Sequence, residues 1–263
     1  MLAIIAGSGR LPAAIVDAVA DRPVICVLEG FAPEGMVADE VFRIECLGSF
    51  LKKLRYRGVT DICMAGAVQR QPVNPLKVDS ATMPLVPILK RAITSGDDAA
   101  LRMITKTCED MGFRVRGAHE LAPALLPPAG ILTQTQPSDH AWADARRGKD
   151  IVAAMAAADI GQACVVHRCQ ALGIETVLGT DWMLQSLEHR GDGCRGGVFY
   201  KAPKPGQDRR ADLPVIGVNT VSAAIAAGLD GLVIVAQGVM VLDRAEVIAA
   251  CDSAGLFLWV QEV

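Results

Sequence analysis

Short, continuously apolar runs separated by amphipathic stretches constrain this chain more than any other feature of it. "LAIIAG" (2–7), "VICVLEG" (24–30) and "DICMAGAV" (61–68) lack the alternation of a strand with one wet face, so they read as parallel strands covered on both sides. Between them "LPAAIVDAVA" (11–20) and "FLKKLRYRG" (50–58) read as helices, the second closed by Gly58. Strand, helix, strand in that order predicts an α/β fold with a doubly wound, Rossmann-like sheet. A helix over 97–112, opening on Asp97 and Asp98, and a strand over 113–121 running into a loop continue the pattern.

The pattern breaks at "APALLPPAGILTQTQPS" (122–138), which holds four prolines and little periodicity. We therefore read residues 1–125 as an N-terminal Rossmann-like domain, 126–140 as a linker and 141–263 as a C-terminal α/β domain. The second part predicts a helix over 144–159, a strand or hairpin over 162–176 and a helix over 180–191 with Thr180 as its cap. "GGVFYKAP" and "PVIGV" read as strands, and "TVSAAIAAGLDGLVIVA" and "DRAEVIAACDSAGLFLWVQ" each as a helix followed by a strand.

Composition narrows the function. The chain has 263 residues, 51% hydrophobic, enough for one large core or two modest ones. A net charge of −3 and 4% aromatics argue against a general nucleic-acid binder and against base-stacking platforms. Cysteines at 26, 46, 63, 108, 164, 169, 194 and 251 form no C-x-x-C, and several sit in apolar runs. They read as core residues rather than disulfides or zinc ligands. His119, His140, His167 and His189 form no H-E-x-x-H. With no signal peptide and no apolar run of about 20 residues, a cytosolic protein is expected.

Five places could carry chemistry. In "AGSGRLP" (6–12), Gly7 and Gly9 suit either a tight turn or backbone contact with an anion at a helix start, and Pro12 stands where a dinucleotide fingerprint has its third glycine. In "SGDDAALR" (95–102), Asp97 and Asp98 suit a helix cap or a metal. His119 in "GAHE" is a ligand or donor candidate. Thr180 and Asp181 in "LGTDWML" are again cap or metal candidates. "KAPKPGQDRRADLP" (201–214) is either a solvated loop or a stiffened platform. Its prolines hold Lys201 and Lys204 on extended backbone, and Asp212 precedes a buried strand. Cations held around oxygens beside a fixed carboxylate suit phosphate or Mg²⁺ chemistry.

"IAGSGRLP", "GDDAALR", "GAHE", "DIGQACVV", "GTD", "KAPKPGQDRRADLPVIG" and "AGLDGLVI" follow one another here as in the UDP-2,3-diacylglucosamine pyrophosphatases of the LpxI type, which the chain resembles over nearly its whole length. The lysine–proline–aspartate stretch is the most specific part. The resemblance implies a two-domain enzyme that cleaves UDP-2,3-diacylglucosamine to UMP and 2,3-diacylglucosamine 1-phosphate (lipid X), a step of lipid A biosynthesis, with Mg²⁺ or another divalent metal. It also implies lipid product held between the domains and attack of water on the phosphorus nearer the sugar. Its essential carboxylate, in "R-x-D-L-P", falls on Asp212. Substrate contacts are expected at Gly7, Ser8, Gly9, Leu11, Gly66, His119, Gln162, Thr180, Lys201 and Lys204, and metal contacts at Asp212, Asp181 and Asp98. Departures are Ser8 and Arg10 in the first loop, and Leu178 ahead of Gly179-Thr180-Asp181 where an acid is usual. A lipid-linked nucleotide sugar as substrate carries with it peripheral contact with the inner membrane, and a homodimer is compatible with this reading. Two alternatives stand beside it. One is a nicotinamide-dependent oxidoreductase, with only Glu29 to anchor a ribose. The other is a non-catalytic nucleotide-sugar or lipid-binding protein.

Overall fold

The computed structural model describes residues 1–31, 33, 35–68, 72–189 and 195–262, with Asp97 described by its backbone alone. The chain divides into two compact units, Met1–Pro123 with Asp208–Asp212, and Ala124–Gln207 with Leu213–Val263.

The first unit runs β1 (Leu2–Ala6), α1 (Leu11–Ala18), β2 (Val24–Leu28), β3 (Glu40–Phe42), α2 (Leu47–Tyr56), β4 (Asp61–Ala65), α3 (Val86–Thr94), α4 (Asp97–Asp110), β5 (Arg114–Val115) and α5 (Ala118–Leu121). Among the described residues its strands form one parallel sheet in the order β3-β2-β1-β4-β5. The chain builds outward from β1 to β3, then returns through α2 to β4 on the other side of β1. Winding reverses between β1 and β4, and ligand crevices in such sheets open outside the carboxyl ends of the strands at that point. Ala3, Leu51, Leu54, Ile62, Cys108 and Val115 make the core that fixes these ends.

One expected element differs. The strand expected over 113–121 stops at Val115. After the Arg116 N–H bonds the Ile62 carbonyl at 2.8 Å, the Gly117 carbonyl accepts from Glu120 and Leu121, and the chain turns into α5. Two ladder residues at a sheet edge leave the next segment open to helical closure.

The second unit runs β6 (Gly130–Ile131), α6 (Asp139–Ala157), β7 (Ala163–His167), β8 (Gln170–Ile174), α7 (Gly179–Ser186), β9 (Val198–Lys201), β10 (Val215–Ile216), α8 (Val218–Ala226), β11 (Gly231–Val235), β12 (Met240–Val241), α9 (Arg244–Ala254) and β13 (Phe257–Gln261). Among the described residues the main sheet has the order β6-β13-β11-β9-β7-β8, and β10 pairs with β12 separately. Alternation along the strands gives it two buried faces. Val165, Phe199, Leu232 and Ile234 pack with Met183, Leu184, Val221 and Val247 from α7, α8 and α9. Cys164, Val166, Tyr200 and Val233 pack with Ala145 and Val152 of α6.

The segment 126–140, expected as a linker, is tied into this unit. Gly130 and Ile131 pair with Val260 and Trp259, the Thr133 hydroxyl accepts from the Leu258 N–H at 2.8 Å, and Asp252 accepts from the Gln134 N–H at 2.8 Å. The helix expected from 144 starts earlier, at Asp139, because Ser138 accepts from the Ala141 N–H as a cap.

Cys26, Cys63, Cys108, Cys164 and Cys251 are buried and unpaired, Cys46 is half-buried, Cys169 is exposed, and Cys194 lies outside the described residues. Burial pushes the Cys63, Cys108 and Cys164 thiols up to about 12, away from reactivity at neutral pH. Among the described residues no helix is long and apolar enough to cross a membrane.

Candidate functional site

At the carboxyl ends of β1 and β4, Gly7 and Ser8 meet Gly66 and Ala67. The Gly7 N–H donates to the Ala65 carbonyl at 2.8 Å, and Ser8 and Ala67 exchange backbone bonds at 2.9 and 3.0 Å. A Cβ on Gly7 would stand 2.5 Å from the Ala67 carbonyl oxygen, and one on Gly66 (φ +91°) would stand 2.6 Å from that of Ser8. Close backbone approach therefore requires both glycines. The Ser8 hydroxyl also donates to Ala67, at 3.0 Å, so its N–H and its O–H are both engaged within the protein. Around Gly9 (φ +90°) an added Cβ would meet open space. Leu11 opens α1 and turns into the core, followed by Pro12.

α5 packs on β4 and α1 and carries His119. Gly117 leaves room for the ring, since a Cβ there would lie 2.5 Å from the imidazole and 3.3 Å from the Arg209 carbonyl oxygen. Among the described residues Nδ1 of His119 is buried without a hydrogen-bond partner. Burial, and then the Arg209 cation, lower the imidazole below its ordinary range, so it is neutral at pH 7.

Arg209 belongs to the turn 208–212, which groups with this first unit. The Arg210 guanidinium holds Asp208 with two bonds, at 3.0 and 2.8 Å, and reaches Glu109 of α4 at 2.6 Å. The N–H groups of Ala211 and Asp212 both donate to the Asp208 carbonyl, at 2.9 and 3.2 Å. The bonds from Arg210 hold the Asp208 carboxyl below the usual range against the effect of burial. Half-buried Asp212 thus ends a turn tied to a helix, not a loop moving in solvent.

In the second unit Lys201 closes β9. It shares a face with Phe199 two residues earlier, which packs with Met183 of α7, so its chain runs toward that helix. Nζ donates to the Thr180 hydroxyl at 2.7 Å, and that hydroxyl donates to Oε1 of Glu175, which lies 3.8 Å from Nζ. The Gln162 N–H donates to Oε2 of Glu175 at 2.8 Å, while the side-chain Oε1 of Gln162 is buried without a partner among the described residues. Lys201 is 6% exposed and Glu175 7%. Burial alone would raise the Glu175 carboxyl. Lys201, Thr180 and the Gln162 amide outweigh it and hold the carboxyl below its ordinary range. Lys204 pairs with Asp159. Thr180 is therefore not the expected cap: Leu178 occupies that position, and the Thr180 hydroxyl is committed to Lys201 and Glu175.

Of the three carboxylates expected to hold metal, Asp98 pairs with Arg102, and Asp181 is exposed in the first turn of α7. The side chain of Asp97 lies outside the described residues. Among the described residues no three His, Cys, Asp or Glu side chains converge. Such a donor set does not make an all-protein cage. Carboxylate oxygens of this kind suit a hard divalent cation only together with substrate phosphates and water.

The sequence does not point to Glu175, and it gives Asp208 and Arg210, inside the quoted stretch, no role of their own. Glu175 sits in "GIETV" among apolar neighbours, and its partner Lys201 lies far along the chain. The acid preceding "GTD" by a few residues was the available signal.

The family model described as LpxI N-terminal domain matches residues 1–125, and that described as LpxI C-terminal domain matches residues 128–259. A curated relative from Caulobacter vibrioides, the UDP-2,3-diacylglucosamine pyrophosphatase LpxI, is 36% identical over 268 residues, covering 98% of this chain and 96% of its own length.

Proposed function

Since the chain belongs to the LpxI family, we propose that it hydrolyses the pyrophosphate bond of UDP-2,3-diacylglucosamine to UMP and 2,3-diacylglucosamine 1-phosphate, in lipid A biosynthesis. The observation that carries this reading is the state of the stretch Lys201 to Asp212. Lys201 is buried and oriented, Lys204 is paired, and Asp212 ends a turn fastened to α4. A solvated surface loop has no need of these restraints.

In this mechanism Lys201 and Lys204 balance negative charge on the phosphate oxygens, which otherwise repels the attacking water. Lys204 exchanges Asp159 for a phosphate oxygen on binding. Asp212 orients the water and accepts its proton, or shares in holding Mg²⁺ with the substrate's phosphates. The metal, when bound, neutralises charge on the departing phosphate. Neutral His119 and the buried carbonyl of Gln162 are each suited to a hydrogen bond with the polar parts of the substrate. Water attacks the phosphorus nearer the sugar, where the acyl chains fix the group, and UMP leaves. The protein acts in the cytoplasm and meets its lipid at the inner membrane by peripheral contact.

The test is incubation of the purified protein with UDP-2,3-diacylglucosamine in ¹⁸O-water, with EDTA and then with excess Mg²⁺. UMP release that EDTA stops and Mg²⁺ restores is expected, with label in the lipid phosphate. Release unaffected by EDTA removes the metal from the mechanism, and label in UMP moves the attack to the other phosphorus.

A further inference from the structure

We infer that Glu175 is a positioning residue for Lys201, holding it through Thr180 so that the ammonium meets the pyrophosphate already oriented. The inference rests on the reading of Lys201 as a phosphate contact. Its physical basis is the direction of the hydrogen bonds. A threonine hydroxyl has one proton. Here that proton goes to Glu175, so the oxygen presents lone pairs to Nζ of Lys201 at 2.7 Å. Thr180 then has no proton for a substrate oxygen, and its expected contact with substrate passes to Lys201, which keeps further N–H groups.

Glu175 is itself held from the other side by the Gln162 N–H at 2.8 Å. Its backbone N–H continues the β8 ladder by donating to the Ala163 carbonyl at 2.8 Å. The acid is thus fixed at both ends. A buried ammonium without a counter-charge is unstable, and a lysine chain has many rotamers. One carboxylate supplies the charge and, through a hydroxyl relay, selects the rotamer. The other charged groups that the described contacts set around this pair are Lys204 and its partner Asp159.

A merely structural ion pair would share this geometry, so the test separates the two by coupling. Glu175→Gln keeps the shape and removes the charge. Its kcat/KM should fall about 10- to 100-fold, the range of a charge-assisted hydrogen bond. In a Lys201→Met background the same change should cost less than about twofold, because the group it positions is gone. Multiplicative losses would show that Glu175 acts on activity by another route and would overturn the inference while leaving the hydrolase reading intact. A wild-type protein that releases no UMP would sink the hydrolase reading and the inference with it. If Glu175→Gln does not fold, Thr180→Val and Thr180→Ser replace it. Serine keeps the relay and should retain most of kcat/KM, valine breaks it and should not, and equal behaviour of the two contradicts the proposal.

Discussion

His119 shows how a single residue's surroundings set its chemistry. Its imidazole is lowered by burial and by Arg209, and its Nδ1 is buried without a partner among the described residues. A histidine whose folded value lies below its unfolded value near 6.5 binds its proton more readily in the unfolded chain. Its contribution to stability is complete above that pH and is lost as pH falls from about 6.5 toward the lowered folded value. Urea unfolding at pH 7.5 and pH 5.5 should therefore show a smaller loss on acidification in His119→Gln than in wild type. An identical loss in both would mean that the imidazole is not perturbed. The sequence offered His119 as one polar residue after a strand and nothing about its state, because Arg209 is remote in sequence. Thr180 departs from the expected cap for a related reason. A threonine before a helical run usually caps it, but a buried acid and a buried lysine competed for this hydroxyl.

Among the elements, the loop after β1 and the turn 208–212 bear most on the site. Gly7 faces a backbone oxygen at a distance no Cβ tolerates. Gly7→Ala should destabilise the protein by roughly 1–3 kcal/mol as β1 or β4 shifts, which chemical denaturation would register, and unchanged stability would contradict the described approach of the two strands. The turn is fastened by Arg210 to Asp208 and to Glu109. Arg210→Ala should leave the fold intact and lower kcat about tenfold or more through misplacement of Asp212, and steady-state kinetics with an unchanged kcat would show that the turn needs no such anchor. Several longer elements were legible because continuous apolar runs and helical periods are strong signals: β1, β2, β4, α4, β11 and β13 stand where the pattern puts them, while α3 does not show in it. β3, β6 and β12 were not, since a strand of two or three residues carries no period, and β6 exists only because β13 offers it an edge.

At the scale of the whole molecule, two α/β units each hold part of the expected set. Gly7, Ser8, Gly66, His119 and the turn ending in Asp212 belong to the first, and Gln162, Thr180, Lys201 and Lys204 to the second. The sequence motifs named these residues but could not reveal that Glu175, Asp208 and Arg210 restrain them, because restraint depends on partners brought near only by folding. The proposed role of Asp212 is to carry hydrolysis of the lipid-linked nucleotide sugar. It is tested most directly by the rate of UMP release from UDP-2,3-diacylglucosamine by wild type and by Asp212→Ala, with the circular dichroism of both confirming the fold. A loss of about 10²–10⁴-fold or more in the variant is predicted, as for removal of a general base. Near-equal rates in the two proteins would contradict it.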